Sequence, residues 1–367
     1  MNRSLTLRNV QSNSSPTPEQ FSKRIKSAQT STELSLYSFG SLSASGFALF
    51  VTAFSAYAAD PQIPKLKLQP EITVSGLSSG GYMANQLHIA HSTQIKGTAI
   101  IAAGPYGCAQ NSLSIALDHC FNKATSAPDL AIADTQMQQL ASAGKIDDLK
   151  NLAGAKVWLL HGSKDTTVHA AVSDALTKQY QQLGATVSYV NDKPFAHHYP
   201  IAGKGGNDCA VSDAPFLGSC DFDSTGQFLS HLLGKVEQKA ATTTGSLVKF
   251  NQQEVAGDVA DGMGDEGFVY IPTSCAKGES CRLHISFHGC KQNADAVGDA
   301  YPRLSGLNEY ADTNHLVVLY PQTKKSAMAP FNPNACWDWW GYTNGDYATK
   351  QGVQIQAVMN MAAWLRK

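Results

Sequence analysis

An α/β fold with a mostly parallel central sheet flanked by helices is what this sequence predicts, on three observations. A strand-like run at 71–75, Glu-Ile-Thr-Val-Ser, passes through Gly76-Leu77-Ser78-Ser79-Gly80 directly into a helix-like run at 82–88. Two later apolar strands, 157–160 and 187–190, each run into a polar turn, the first carrying Asp165 and the second His197 and His198. From about residue 245 the chain again alternates strands with helices.

The first of these is a G-x-S-x-G in strand–turn–helix context, the nucleophile elbow of an α/β-hydrolase. Such a turn holds a serine hydroxyl clear of the backbone and needs small neighbours, because Cβ atoms would collide. Ser78 is therefore the expected nucleophile. Serine, then acid, then histidine, each near a strand end, is the chain order of the hydrolase triad. In that scheme an imidazole takes the proton of Ser78 as it attacks a carbonyl and returns one to the leaving alcohol, while Asp165 fixes the tautomer and stabilises the imidazolium. His197, on a turn three residues before Pro200, is preferred as the base, with His198 the alternative. His88 and His91, on one helix, read as a surface pair.

The second half supplies strands at 246–250, 267–271, 283–287 and 315–320, and helices near 302–313 and 349–366. The strand at 283–287 runs straight into His288-Gly289-Cys290. In an ordinary α/β-hydrolase an H-G turn precedes the nucleophile and supplies an oxyanion-hole N–H. Here it follows Ser78, so the order reads as a circular permutation with the old termini joined near 238–246. One catalytic domain over 59–367 is expected rather than two, since neither half alone holds a complete triad and a complete oxyanion hole.

A chain of 367 residues with 43% hydrophobic content is long enough to bury such a core, and its net charge of −1 gives no reason to expect nucleic acid as a partner. Residues 43–54 form an uncharged apolar run followed by Ala56-Tyr57-Ala58, an h-region and an A-x-A site. The run is too short for a stable membrane span, so 1–58 reads as leader and signal peptide with cleavage near Ala58; an uncleaved anchor is the other reading. The cut removes five basic and two acidic residues, which leaves a net charge of −4, suited to a secreted or periplasmic protein.

All eight cysteines follow that cut, and an even count in an exported chain predicts disulfides. Proximity suggests Cys108–Cys120, Cys209–Cys220 and Cys275–Cys281, leaving Cys290–Cys336 across a long loop. No C-x-x-C is present and the histidines do not cluster with the cysteines, so no metal is expected.

Taken together, Ser78 in G-L-S-S-G-G-Y-M, Asp165 in H-G-S-K-D-T-T-V, the F-H-G-C at 287–290 and the C-W-D-W-W-G at 336–341 resemble the single-domain, circularly permuted polyhydroxybutyrate depolymerases. The resemblance spans nearly the whole mature chain. It implies hydrolysis of poly(3-hydroxybutyrate) or its oligomers through an acyl-enzyme, without metal, nucleotide or flavin. It further implies that the oxyanion donors are the N–H groups of Ser79 and Cys290, that Cys290 is bridged to Cys336, and that Trp340 packs on the substrate while Trp337 and Trp339 are structural. Feruloyl or acetyl esters of plant polysaccharide are the alternative substrates. A non-catalytic binding protein on a hydrolase scaffold is the alternative of a different class.

Overall fold

Parallel pairing of two strands from opposite halves of the chain organises the molecule. The computed structural model describes residues 63–121, 127–260 and 262–366, so the leader and the cut near Ala58 lie outside the described residues. In chain order the strands are β1 (Leu68–Leu77), β2 (Ile95–Ile101), β3 (Lys156–Leu160), β4 (Thr186–Val190), β5 (Tyr199–Ile201), β6 (Asn207–Asp208), β7 (Leu217–Ser219), β8 (Ser246–Asn251), β9 (Glu266–Ile271), β10 (Cys281–Phe287) and β11 (Leu316–Tyr320). Eight of them form one sheet in the order β4-β3-β2-β1-β10-β11-β9-β8, and β5, β7 and β6 form a small second sheet. Only β9 runs antiparallel to its neighbours, β11 and β8.

Strand β1 lies between β2 and β10, parallel to both. From β1 the chain moves outward one way through β2 to β4, and from β10 it moves the other way to β11. The crevice at the carboxyl ends of β1 and β10 is thus a topological switch point, where ligands bind in open α/β sheets.

The central strands of the sheet are buried on both faces, and strand alternation divides the core in two. Val317 and Leu319 of β11 face one cluster while Val318 and Tyr320 face the other, as a two-residue period requires. Helix α1 (Ser79–Ala90) fills the first face and has all twelve residues buried. His88 is consequently a core residue, against the expected surface pair: its Nδ1 bonds Tyr180 Oη at 2.9 Å, and burial pulls its pKa down to about 3.

Helices α2 (Leu113–His119), α3 (Leu130–Ser142), α4 (Ala170–Gln182) and α5 (Ser224–Leu233) follow before β8. Asp223 starts α5 by accepting the Gly226 N–H at 2.9 Å, which satisfies one orphan donor of the first turn. The helix buries Phe228 and Leu229 on the second face, each worth about 1.5–3 kcal/mol of apolar burial. The helix expected near 302–313 is broken: Gly306, at φ 80, separates Ala300–Leu304 from Leu307–Asn314. The last helix is Val353–Trp364, and beyond it Arg366 Nη2 donates to the carbonyls of Gln69 and Pro70 at 3.3 and 2.9 Å. The segment after the last helix therefore lies against the start of β1.

Four disulfides join Cys108–Cys120, Cys209–Cys220, Cys275–Cys281 and Cys290–Cys336. The last spans 46 residues, and closing a loop of that length constrains the unfolded chain by about 4 kcal/mol in the entropy model.

Candidate active site

Ser78 stands between β1 and α1 at φ 57, ψ −120, a conformation that a side chain other than glycine's adopts only under constraint. The constraints are visible: Ser78 N–H donates to Ile101 O at 2.9 Å, and Tyr82 N–H closes the first helical turn on Ser78 O at 3.0 Å. Gly76 is required because a Cβ there would sit 2.1 Å from Gly80 O. The first turn of α1 brings the Ser79 N–H to the positive end of a buried helix.

Asp165 lies in the turn after β3 with its side chain fully buried. One carboxylate oxygen accepts the N–H groups of Thr167 and Val168 at 2.7 and 2.9 Å, and the other bonds His197 Nδ1 at 2.7 Å. Burial alone would push this carboxyl up, yet the charge of His197, the bond to it and the Val168 N–H outweigh that, so its pKa is held below the usual carboxylate value. With Nδ1 engaged, His197 has Nε2 left for the cleft that it lines together with Ser78.

His198 turns the other way. Its Nε2 donates to Cys209 O at 2.8 Å, and the ring packs so closely on Gly218 that a Cβ there would meet it at 2.1 Å. Asp165 is thus brought to His197 and not to His198. Within the described residues His198, Cys209 and Cys220 are the only group with metal-ligand proximity, but the two sulfurs are bonded to each other and offer no thiolate.

The cleft encloses about 720 Å³ and is lined by Ser78 and His197 together with Gly289, Cys290, Trp339 and Trp340. His288 orders the turn that carries Cys290. Its Nδ1–H donates to Gly289 O at 2.7 Å and its Nε2 accepts the Thr323 N–H at 3.2 Å, a pairing that only the neutral Nδ1–H tautomer satisfies. Burial pulls its pKa down to about 4, which keeps that tautomer. Because C=O and N–H point in opposite directions across a trans peptide, pinning Gly289 O also fixes the direction of the Cys290 N–H.

The tryptophan loop is organised by a residue that the motif reading passed over. Buried Asp338 accepts the N–H groups of Gly341, Tyr342 and Thr343 at 2.7, 3.0 and 2.8 Å, folding the chain around its carboxylate. An aspartate three residues before a glycine was the available signal. Trp337 is fully buried, and its backbone N–H donates to Ser79 Oγ at 3.3 Å, tying this loop to the elbow. Trp339, expected to be structural, stacks on Tyr82 at 4.5 Å between ring centres but also lines the cleft, edge-on to Trp340 at 5.4 Å. It is both packed and presented, because one face of the ring suffices for the stack.

Around the mouth, exposed apolar side chains stand beside Asp213, Lys291 and Lys325. Leu113 and Leu117 of α2 line one side at 47% and 37% exposure, and Phe331 lines another at 58%. Met328, at 78%, projects from the same loop as Phe331, whose base is closed by the Ser326 and Asn332 backbones. Isolated exposed apolar residues are ordinary, whereas a cluster around one cleft marks an interaction surface.

No family model matches the chain. A poly(3-hydroxybutyrate) depolymerase of Delftia acidovorans is 38% identical over 332 residues, 89% of this chain, and the chain spans 66% of that relative's length. A polyhydroxybutyrate depolymerase of Talaromyces funiculosus is 33% identical, with 85% of this chain and 94% of the relative covered. Two solved structures share the fold. A PHB depolymerase serine-to-alanine variant complexed with an R3HB trimer superposes at a TM-score of 0.77 with 32% identity, covering 83% of this chain and 98% of its own. The PHB depolymerase from Penicillium funiculosum does so at 0.76 with 33% identity, covering 83% and 97%.

Proposed function

Because this chain belongs to the polyhydroxybutyrate depolymerases, a family of ester hydrolases, we propose that it hydrolyses poly(3-hydroxybutyrate) or its oligomers through an acyl-enzyme on Ser78. The observation that carries the mechanism is the 2.7 Å bond from His197 Nδ1 to buried Asp165, with His197 in the same apolar cleft as Ser78 and Cys290. In this reading His197 Nε2 takes the Ser78 proton as Oγ attacks the ester carbonyl. The oxyanion is received by the N–H groups of Ser79 and Cys290. The alcohol end leaves with the proton from His197, and a water activated by the same imidazole releases the acid. Trp340 and Trp339 supply the apolar wall for the methyl-bearing repeat unit.

Polyester is favoured over feruloyl or acetyl polysaccharide esters by the apolar rim and by the relative complexed with a hydroxybutyrate trimer. The test is clearing of an amorphous poly(3-hydroxybutyrate) suspension by the protein and by Ser78→Ala, beside feruloyl and acetyl ester controls. Clearing that depends on Ser78 supports the proposal; Ser78-dependent hydrolysis of the controls alone would move the substrate to plant-wall esters.

Export is supported by the four disulfides, which persist in oxidising compartments. Among the described residues no helix is long and apolar enough to cross a membrane. N-terminal sequencing of the mature protein tests cleavage near Ala58; an intact leader would contradict it.

The circular permutation is supported by the strand order. Read from β8 to β11 and then from β1 to β4, the H-G turn follows the third strand and precedes the nucleophile, as in ordinary hydrolases. The contact of Arg366 with Gln69 and Pro70 means that a short linker could join the ends. A chain reopened near 238–246 and so joined should fold and remain active; a soluble but unfolded product would count against this reading.

A further inference from the structure

Two residues beyond Cys290, Gln292 is only 1% exposed, and its amide makes three hydrogen bonds, all to backbone. Oε1 accepts the Gly289 N–H at 2.8 Å, while Nε2 donates to Pro215 O at 2.9 Å and Phe216 O at 3.0 Å. The partners fix the orientation, since turning the amide over would set NH2 against N–H and an oxygen against two carbonyls. Gln292 does not line the cleft, so it acts through what it holds.

It holds two loops from opposite halves of the chain. On one side is Gly289, held by its N–H, the residue directly before the proposed oxyanion donor, the Cys290 N–H. On the other is the loop that anchors the base: Phe216 O also accepts the Tyr199 N–H at 2.9 Å, and Ser212 Oγ donates to His197 O at 2.9 Å. Phe216 sits at φ 56, unfavourable for a bulky side chain, so contacts from outside the loop must maintain it.

We propose that Gln292 is a positioning residue that sets the spacing between the Cys290 N–H and the His197 imidazole, making oxyanion stabilisation and proton transfer available in one geometry. The proposal rests on the hydrolytic reading of the site given above. Misplacing catalytic groups by an ångström can cost about 10²-fold in rate, whereas losing a merely structural bond lowers stability and leaves turnover intact.

The test compares the full chain with Gln292→Met and Gln292→Glu, using p-nitrophenyl butyrate turnover, inhibition by an alkyl trifluoromethyl ketone, and melting temperature. The ketone's serine adduct places an alkoxide in the oxyanion hole. In Gln292→Met, kcat should fall by about 10²-fold with KM little changed, and ketone affinity should fall in parallel. In Gln292→Glu, the neutral acid can still accept from Gly289 and donate to one carbonyl, but the carboxylate faces two carbonyl oxygens. Its kcat relative to wild type should therefore be high at acid pH and fall as pH rises. Asp213, Lys291, His288 and His197 stand on the segments around this position and are present in wild type as well, so the ratio removes their contribution.

A folded Gln292→Met with wild-type kcat and ketone affinity would overturn the proposal. If that variant does not fold, a Glu-to-wild-type ratio independent of pH would overturn it instead. A wild-type chain inert to both ester and ketone would mean that the hydrolytic reading itself had failed, and the positioning role with it.

Discussion

The backbone of Gly80 meets that of His288 so closely that a Cβ on Gly80 would lie 2.4 Å from His288 O. The last glycine of the elbow is therefore fixed by the His288–Gly289 turn from the other half of the chain, as much as by the elbow. Parallel register does this: Gly76 stands opposite Phe287, so β1 and β10 release their loops side by side. Ser79 stands one residue before one partner of this contact and Cys290 two residues after the other, which is how the two proposed donors, distant in sequence, would serve one oxyanion.

The two adjacent histidines should separate cleanly. His197→Gln should lower kcat by about 10⁴-fold or more, because base and nucleophile act as a unit. His198→Gln should leave kcat largely intact while losing about 1–3 kcal/mol of stability, since the His198 ring is buried and bonded to Cys209 O. Steady-state kinetics and denaturant titration of both variants check this, and the reverse pattern would make His198 the base.

Breaking the Cys290–Cys336 bridge should affect two properties together. A double variant with serine at both positions should lose about 4 kcal/mol of loop constraint. If the Cys290 N–H is also displaced, kcat falls by about 10²–10³-fold at temperatures where the variant stays folded. Loss of stability with unchanged kcat would show that the loop holds its N–H without the bridge.

Stability should fall steeply on mild acidification. Burial pulls His88 and His284 down to about 3 and His288 to about 4, whereas in the unfolded chain histidines titrate near 6.5. A depressed folded value means that the contribution is complete above the unfolded value and is lost as pH falls below it. Unfolding near pH 5 should then take up about three protons from these groups, a slope of about 4 kcal/mol per pH unit. Denaturant titrations between pH 7 and 4.5 measure it, and His284→Gln should remove about one third of the slope. A flat profile would contradict the burial of these rings.

Adsorption should depend on the apolar rim more than on the triad. Leu113→Ser combined with Met328→Ser should weaken binding to a poly(3-hydroxybutyrate) film by about tenfold or more, since each side chain is worth about 1.5–3 kcal/mol when fully covered. Hydrolysis of a soluble ester should change much less. Depletion of protein from solution over the film measures this, and equal losses on film and soluble ester would assign these residues to the cleft alone.

What the sequence made legible was local. The elbow could be read because Gly76, Ser78 and Gly80 are contiguous and flanked by a strand and a helix, and the H-G turn because it abuts β10. Glycine at 306 was a readable warning against one continuous helix over 302–313. The small sheet β5 to β7 has strands of only two or three residues, too short for periodicity to register. The turning of His198 toward Cys209, the carboxylate of Asp338 beneath the tryptophan loop and the amide of Gln292 between two loops all depend on which backbone groups the folded chain brings near. Apart from the Asp338-to-Gly341 spacing, nothing along the sequence encodes that.

The most direct test is to mix the protein with a hydroxybutyrate trimer ester, quench in acid within one turnover, and map the adduct by mass spectrometry. An acyl group on the peptide carrying Ser78, absent in Ser78→Ala, is the predicted result. Turnover that survives Ser78→Ala, or an acyl group on a different residue, would contradict the assignment of Ser78 as nucleophile.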